Sequence, residues 1–353
     1  MNDLCDMNNS ATPSPEIQTP PPRQAAAHPL ARPGQTSLLP GGESLPLIIQ
    51  PSATGDTLET WATANRAWID AQLLEHGAIL FRDFGVKSVD EFEHFILSLA
   101  GELLDYSYRS TPRSVVSGKI YTSTEYPADL WIAQHNEVSY STNWPLKIWF
   151  HCVTPAETRG ETPIADSRRV FQQISPKTRE RFAQKKVMYV RNFRPGLGLP
   201  WQEVFQTKSK TELEEYCRSA GIQFEWKADG QLRTKQVCQA IAKHPTTGET
   251  VWFNQAHLFH VSNLPPATRD SLLGMFSEED LPRHALYGDG TPIEAEVLAE
   301  IRAAYDAGTV LFPWQQGDVL MMDNMLASHG RAPFTGPRKV VVGMAHAYSE
   351  ANG

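Results

Sequence analysis

The stretch Ala133-Gln134-His135-Asn136-Glu137-Val138 places two metal-binding side chains two positions apart. In an extended strand, residues i and i+2 project from the same face, so His135 and Glu137 can bind one ion together. Far downstream, Met322-Asp323-Asn324-Met325-Leu326-Ala327-Ser328-His329-Gly330-Arg331 supplies a second imidazole. Two imidazoles and one carboxylate on one face of a metal leave the opposite positions open, as a non-haem Fe(II) oxygenase requires. The sequence therefore predicts a metal site made of His135, Glu137 and His329.

The segments around both halves of this site favour strands. Residues 144–153 are apolar and rich in aromatic side chains, which is typical of a buried strand. Residues 317–323 predict a second strand that leads to His329. After a turn at residues 333–338, residues 339–345 predict a third. Strands on both sides of the candidate ligands indicate that a sheet positions them.

The order of these motifs resembles a known family. His135-x-Glu137 is followed by Gly160-Glu161-Thr162-Pro163, by Asp323-Asn324 with His329-Gly330-Arg331, and by Phe334-Thr335-Gly336-Pro337-Arg338. This order is similar to that of the TauD/TfdA-like Fe(II)- and 2-oxoglutarate-dependent dioxygenases, from about Gly77 to Tyr348. Within the family, the chain most resembles the nonribosomal-peptide tailoring hydroxylases, such as the syringomycin-type aspartyl hydroxylase. The resemblance implies a mainly β fold with surrounding helices, a double-stranded β-helix (jelly roll, cupin-like).

The resemblance also implies roles for individual residues. His135, Glu137 and His329 become the catalytic Fe(II) ligands, with 2-oxoglutarate and O2 as co-substrates. Thr162 and Arg338 become the residues that hold the distal carboxylate of 2-oxoglutarate. The chemistry agrees, because the planar guanidinium of arginine binds a carboxylate through two parallel hydrogen bonds. Arg331 is the rival for this role, and Arg338 ranks first because it enters the final predicted strand.

The carboxylate at position 137 bears on the type of reaction. Halogenating relatives have a small residue there so that chloride can bind the iron, so the resemblance implies hydroxylation of an unactivated carbon, with CO2 and succinate as co-products. The implied substrate is an amino acid, aspartyl being one candidate, either free or carried on a peptidyl carrier protein in antibiotic biosynthesis. Desaturation or cyclisation of the same substrate stays open.

Two other classes of function remain as alternatives. A zinc hydrolase could use the same three ligands, although the sequence contains no His-Glu-x-x-His motif. A non-catalytic binding or regulatory protein on a jelly-roll scaffold is the second, because a fold does not determine a function.

The chain divides by composition into a tail and one domain. Residues 1–52 are rich in proline and poor in large apolar side chains, which predicts a disordered tail. Residues 53–353 are expected to form a single oxygenase domain, in which residues 167–316 contain an insert that covers the active site. The domain is predicted to begin with a helix over residues 58–77 and a second helix that starts with a capping box from Ser88 to Glu91.

Substrate contacts are predicted on both sides of the site. Asn254 and His257 come from the insert, and Glu125, Asn136 and Ser139 from the opposite side. Glu125 is expected to pair with a substrate amino group. His151 and His346, within the predicted strands, are interpreted as structural.

Charge and composition exclude several classes. A net charge of -8 on 353 residues argues against a nucleic-acid partner. No apolar stretch approaches membrane-spanning length, and the amino terminus has no secretion signal, so the expected location is the cytoplasm. The four cysteines form no C-x-x-C pair and are expected to be reduced.

Overall fold

The computed structural model of the protein describes residues 34–40, 43–52, 55, 57–105, 113–227 and 230–349. Its strands are, in chain order, β1 (Gln35–Ser37), β2 (Leu47–Gln50), β3 (Ala78–Phe81), β4 (Val115–Ser117), β5 (Ile120–Thr122), β6 (Ile132–His135), β7 (Asn143–Thr154), β8 (Thr158–Arg159), β9 (Ile164–Asp166), β10 (Val187–Phe193), β11 (Gln223–Trp226), β12 (Leu232–Cys238), β13 (Ile241–Lys243), β14 (Thr250–Trp252), β15 (Arg283–Tyr287), β16 (Val319–Asp323), β17 (Ala327–Arg331), β18 (Phe334–Thr335) and β19 (Lys339–Ser349).

The helices lie between these strands. They are α1 (Leu58–Ala64), α2 (Arg66–His76), α3 (Val89–Ala100), α4 (Ser167–Gln173), α5 (Pro176–Lys185), α6 (Trp201–Val204), α7 (Lys210–Ser219), α8 (Ala256–Phe259), α9 (Pro266–Met275) and α10 (Ala295–Ala307). Among the described residues, no helix combines the length and the apolar character that crossing a membrane requires.

The largest sheet is buried on both faces. Its strand order is β1-β2-β3-β16-β7-β19-β5-β4. Because successive side chains of a strand alternate between faces, Met321 and Trp149 enter one hydrophobic core while Leu320 and Phe150 enter the other. The helices α1, α2 and α3 cover the first core, and the second core lies on the face that carries the candidate metal ligands. The observed architecture is mainly β with surrounding helices, as predicted.

A small sheet holds the candidate ligands together. Its order is β6-β17-β9, and both contacts are antiparallel. His329 of β17 lies opposite His135 of β6 in the strand register, so the two halves of the predicted site meet across one strand pair. A Cβ atom at Gly330 would lie 2.6 Å from the carbonyl oxygen of Ile132, so only glycine allows the strands to approach this closely here.

The predicted boundary of the tail at residue 52 is wrong. Strand β2 is buried and pairs in parallel with β3, and β1 pairs with β2. The run Leu47-Ile48-Ile49 is apolar enough to add to the sheet, and the surrounding prolines hide this signal in the composition. The rest of the predicted tail, residues 1–33, lies outside the described residues.

The predicted helix over residues 58–77 is two helices. The chain breaks at Asn65, whose side chain donates a hydrogen bond to the Trp61 carbonyl (2.8 Å), while its backbone leaves the helical region. The predicted cap at Gly77 is confirmed, with φ of 76°. Half of the capping box is confirmed, because Ser88 Oγ accepts a hydrogen bond from the Glu91 N–H, whereas the Glu91 carboxylate accepts from the Lys87 N–H and not from that of Ser88.

Residues 167–316 form the part of the chain predicted as an insert. They carry a sheet of order β11-β12-β10-β15, the hairpin β13-β14 and the helices from α4 to α10. Cys152, Cys217 and Cys238 are buried and form no disulfide among the described residues, which agrees with the expected reduced state, and Cys5 lies outside the described residues.

We expect a chain that begins at residue 53 to be much less stable than the full chain. It would lose β1 and β2 and expose β3 as an edge, and each lost buried aliphatic side chain contributes roughly 1.5–3 kcal/mol. Thermal unfolding should shift down by about 10 °C or more. A chain that begins at Gly34 is the control and should unfold like the full chain. Equal stability of the two truncated chains would contradict the role of β2.

Candidate metal centre

His135, Glu137 and His329 converge on one point. One ligand atom from each lies within 4.8 Å of the others, and all three residues are buried. The imidazole centroids of His135 and His329 are 4.5 Å apart, and His329 Nε2 lies 3.6 Å from Glu137 Oε2. His135 ends strand β6, whereas Glu137 lies in the turn that follows it. The structure therefore brings the predicted triad together, although only one member of the His-x-Glu pair is in a strand.

Asn324 fixes the backbone of Glu137. Its Oδ1 accepts a hydrogen bond from the Glu137 N–H (2.6 Å), and its Nδ2 donates to the carbonyls of Glu137 (2.9 Å) and Pro145 (2.8 Å). The next residue, Val138, has a φ of 58°, which is costly for a β-branched side chain. The buried Asn324 amide stabilises this turn and so holds the Glu137 carboxylate beside His329.

Arg113 pairs with the candidate carboxylate ligand. Its Nη2 lies 2.6 Å from Glu137 Oε2, and both side chains are buried. Burial alone would raise the pKa of Glu137, but the Arg113 charge and the hydrogen bond with His329 overcome it, so the pKa is lowered. Glu137 is therefore ionised and can serve as an anionic ligand.

The three side chains fit a divalent iron ion. Burial and the nearby His329 lower the pKa of His135 to about 3, so its imidazole is neutral and keeps a lone pair. His135 Nδ1 lies 2.9 Å from the Ala133 carbonyl oxygen and donates to it, which leaves Nε2 for a metal. Two neutral imidazoles and a carboxylate form the set of donors that non-haem Fe(II) oxygenases use.

Two cavities lie against the triad. The Thr162 cavity is lined by residues that include Arg113, His135, Thr162, His329, Arg331 and Arg338. The Gln255 cavity is lined by residues that include Arg113, Trp131, His135, Glu137, Gln255 and Arg283. Both are lined by His135 and Arg113, so both border the same candidate metal position.

The predicted 2-oxoglutarate residues lie in the Thr162 cavity. Thr162 Oγ1 accepts a hydrogen bond from the Trp314 indole N–H (3.1 Å). Arg338 donates through Nε to the Gly160 carbonyl (2.8 Å), and burial, with Arg331 nearby, lowers its pKa to about 10. Gly160 has a φ of 73°, and a Cβ atom there would lie 3.1 Å from Arg338 Cδ, so this glycine makes room for the arginine.

Arg331 is engaged differently. Its Nη1 and Nη2 donate to the carbonyl oxygens of Tyr126, Pro127 and Leu130. These hydrogen bonds tie β17 to the loop before β6. The guanidinium of Arg331 is thus occupied by the backbone, unlike the terminal nitrogens of Arg338, which have no protein partner among the described residues.

Four of the five predicted substrate residues lie outside the cavities beside the triad and are instead used within the protein. Glu125 is exposed and accepts hydrogen bonds from Ser114 (2.7 Å) and Thr122 (3.1 Å). The other three, all buried, bond to the backbone: Asn136 to Asn324 O, Ser139 to Asn136 O and Asn254 to Ala240 O. A buried polar side chain near a metal motif can thus serve to satisfy backbone groups instead of facing a ligand.

His257 also lies away from the triad. Its Nε2 is 2.9 Å from the Gln134 carbonyl, and burial lowers its pKa to about 4, so it is neutral. It lines a neighbouring cavity with Tyr305 and Arg302. His151, predicted as structural, stacks on Phe92 on the opposite side of the large sheet.

The site contains residues that the sequence analysis missed. Arg113 and Arg283 line the Gln255 cavity together with Gln255, and Asn324 supports Glu137. Of these residues, only Asn324 lies within one of the sequence motifs, where it follows Asp323. Arg113 follows a stretch without periodicity, and Arg283 begins a strand of the predicted insert, so neither carries a local signal.

Fold and site together define a protein that holds one metal ion and a second small molecule in a β scaffold. A family profile described as taurine catabolism dioxygenase TauD, TfdA family, matches residues 41–344, and the chain belongs to this family. The chain is therefore an Fe(II)- and 2-oxoglutarate-dependent dioxygenase, which confirms the predicted enzyme class, Fe(II), 2-oxoglutarate and O2. The zinc-hydrolase and non-catalytic alternatives gain no support.

Two curated relatives extend the comparison. The chain is 46% identical over 276 residues to the dapdiamide synthesis protein DdaC of Enterobacter agglomerans, covering 78% of this chain and 84% of that protein. It is 29% identical over 339 residues to a clavaminate synthase-like protein of Arabidopsis thaliana, covering 93% and 98%. The crystal structure of PvcB from Pseudomonas aeruginosa has a similar fold, with a TM-score of 0.54 at 15% identity, over 92% of this chain and 95% of that one.

We expect Asn324→Leu to weaken Fe(II) binding about tenfold to a hundredfold, which is the usual effect of removing a hydrogen-bond partner that supports a metal ligand. The reason is that the Glu137 N–H loses its acceptor, and the Glu137 and Pro145 carbonyls lose their donor. Competition with a chromophoric chelator under anaerobic conditions measures the dissociation constant.

The matched control is Asn192→Leu, which removes a buried amide that bonds to the Glu279 and Leu281 carbonyls in the insert. This variant should lose stability but keep the affinity for Fe(II). If both variants lost the same affinity, the effect of Asn324 would be on the fold as a whole.

Proposed function

We propose that this enzyme hydroxylates an unactivated carbon of an amino acid, with succinate and CO2 as co-products, in the biosynthesis of a specialised metabolite. The observation that carries the proposal is the ionised Glu137 beside two imidazoles, flanked by two distinct cavities. A carboxylate at this position argues for hydroxylation over halogenation. Similarity to a protein named for dapdiamide synthesis supports a biosynthetic role.

In this proposal His135, Glu137 and His329 hold the iron. Bound Fe(II) supplies the activation of O2 that is coupled to the decarboxylation of 2-oxoglutarate. The protein keeps the His135 imidazole neutral and the Glu137 carboxylate ionised, and Arg113 pairs with that carboxylate. Phe150, whose ring centroid is 4.9 Å from that of His329, supplies an apolar wall that keeps water from the ligands.

The Thr162 cavity is the proposed site of 2-oxoglutarate. Arg338 would bind its distal carboxylate through the terminal nitrogens, and Thr162 would donate its hydroxyl hydrogen, because its oxygen already accepts from Trp314. Arg331 stays the second candidate, and its bonds to three carbonyls favour a role in positioning the cavity wall.

The Gln255 cavity is the proposed site of the substrate. Gln255 and Leu258 come from residues 167–316, which supports the proposal that this insert covers the open side of the iron. The scaffold is proposed to be a double-stranded β-helix, formed by the large sheet and the β6-β17-β9 sheet. The burial of both faces of the large sheet supports this proposal.

We make further proposals about the substrate, the reaction and the location of the enzyme. The substrate is a small molecule, an amino acid that is free or carried as a thioester on a peptidyl carrier protein, with aspartyl as one candidate. Desaturation or cyclisation by the same iron site is the alternative. A cytoplasmic location without nucleic-acid partners is consistent with the acidic chain and with the absence of a disulfide among the described cysteines.

We expect His329→Ala to lose the iron site without unfolding. The side chain lines the Thr162 cavity, and the variant keeps the other two ligands, His135 and Glu137. Anaerobic addition of Fe(II) and then 2-oxoglutarate should give a weak visible charge-transfer band with the unaltered protein and none with the variant. His346→Ala, on β19 away from the triad, is the control and should keep the band. A band of full intensity in His329→Ala would refute the triad.

We expect Arg338→Gln to weaken 2-oxoglutarate binding about tenfold to a hundredfold, as the loss of a charge-assisted hydrogen bond does. Arg331→Gln should lower the unfolding temperature and leave this affinity within about threefold, because its partners are backbone carbonyls. Titration of the same visible band with 2-oxoglutarate measures both. The opposite result would make Arg331 the 2-oxoglutarate residue.

A further inference from the structure

Arg283 presents an unpaired positive charge to the proposed substrate site. It begins strand β15 and lines the Gln255 cavity beside His135 and Glu137. Within the described part of the chain, no hydrogen bond or ion pair reaches its guanidinium. The guanidinium lies over the face of Phe259, 5.4 Å from the ring centroid.

This charge is costly for the fold. Burial lowers the pKa of Arg283, and Arg191, which lies opposite it in the β10-β15 register, lowers it further. A guanidinium without an acidic partner in such a place loses hydration and gains little in return. Groups that destabilise a fold in this way are typical of functional sites.

The other charges around the cavity are already matched. Glu137 is the one acidic residue among the described residues that line it, and Arg113 pairs with Glu137 at 2.6 Å. Glu125, predicted to bind a substrate amino group, is exposed and bonded to Ser114 and Thr122. Among the described residues, the cavity therefore presents a cation, Arg283, without an acidic partner. The sequence had instead predicted an anion, Glu125, that would bind a substrate amino group.

We propose that Arg283 is a specificity residue that binds a carboxylate of the substrate beside the metal centre. The guanidinium can form two parallel hydrogen bonds with a carboxylate, which relieves its own lack of a partner. This inference rests on one part of the proposed function, namely the assignment of the Gln255 cavity to the substrate.

The neighbouring cavity gives room for the rest of such an acid. Arg283 also lines a cavity of about 270 Å³ beneath α9, whose apolar walls include Phe193, Phe259 and Leu272. The helix α9 itself buries none of its residues. An acid bound at Arg283 can thus extend an apolar part under α9 while its other end lies near the iron ligands.

The proposal restricts the form of the substrate. A free amino acid brings its α-carboxylate, but a thioester on a carrier protein has consumed that group. A carrier-bound substrate would therefore have to present a carboxylate from its side chain, as an aspartyl group does.

The test is equilibrium dialysis of the Fe(II)- and 2-oxoglutarate-loaded enzyme under anaerobic conditions. The probes are the free L-amino acids, their carboxamides, and the N-acetylcysteamine thioesters of L-aspartate and L-asparagine. We expect at least one acid to bind more tightly than its amide, or the aspartyl thioester more tightly than the asparaginyl thioester. Arg283→Met should lower that affinity about tenfold to a hundredfold, and Arg283→Lys by less.

Two controls separate binding from folding. Arg269→Gln, an exposed arginine paired with Asp270 on α9, should bind the probes like the unaltered enzyme. Arg283→Met should unfold at the same temperature as the unaltered enzyme or above it, because it removes a half-buried charge that has no acidic partner among the described residues. A clearly lower unfolding temperature would show that Arg283 is structural and would overturn the proposal.

The remaining outcomes decide between this inference and the proposed function. If the enzyme shows no preference for acids, or if Arg283→Met keeps that preference, the role of Arg283 is overturned. This holds even when the visible band of Fe(II) and 2-oxoglutarate is present. Absence of that band overturns the proposed function. A preference for acids that depends on Arg283 in protein without metal would then still establish the carboxylate site.

Discussion

The antiparallel pairing of β6 and β17 is the contact on which the candidate site depends. It sets His329 opposite His135 and brings together two segments that are far apart in the chain. The pair tolerates no side chain at Gly330, where a Cβ atom would meet the backbone of β6. A ligand set divided between distant segments forms only when the whole sheet has formed. Metal binding is therefore coupled to the folding of the domain.

The large sheet makes this pairing rigid. Because both of its faces are buried, shifting a strand by one residue would move every side chain into the wrong core. Strand β16 runs through the centre of the sheet and leads directly into the turn that contains Asn324. The position of Asn324, and through it the backbone of Glu137, is therefore set by core packing. The geometry of the site thus depends on apolar core residues that are not metal ligands.

Much of this arrangement could be predicted from the sequence, and the failures have physical reasons. The triad was found because its spacing and order form a family pattern, and the long strands β7, β16 and β19 because their apolar runs are strong. The strand β2 was missed because four residues among many prolines hardly change the composition. Asn136, Ser139 and Asn254 were assigned to the substrate because a sequence shows polarity but does not show which buried carbonyl an amide must satisfy.

Arg113 and Arg283 are two functional candidates that the sequence does not reveal. Each is an ordinary arginine in the sequence, and its meaning depends on which charges the fold places around it. Arg113 forms an ion pair with the candidate ligand Glu137, whereas Arg283 lies over a phenylalanine ring and opposite a second arginine in the strand register. A local pattern cannot distinguish these two cases, because the partners come from different elements. Charge matching in the folded site thus carries information about the substrate that the motifs, which specify the iron chemistry, do not contain.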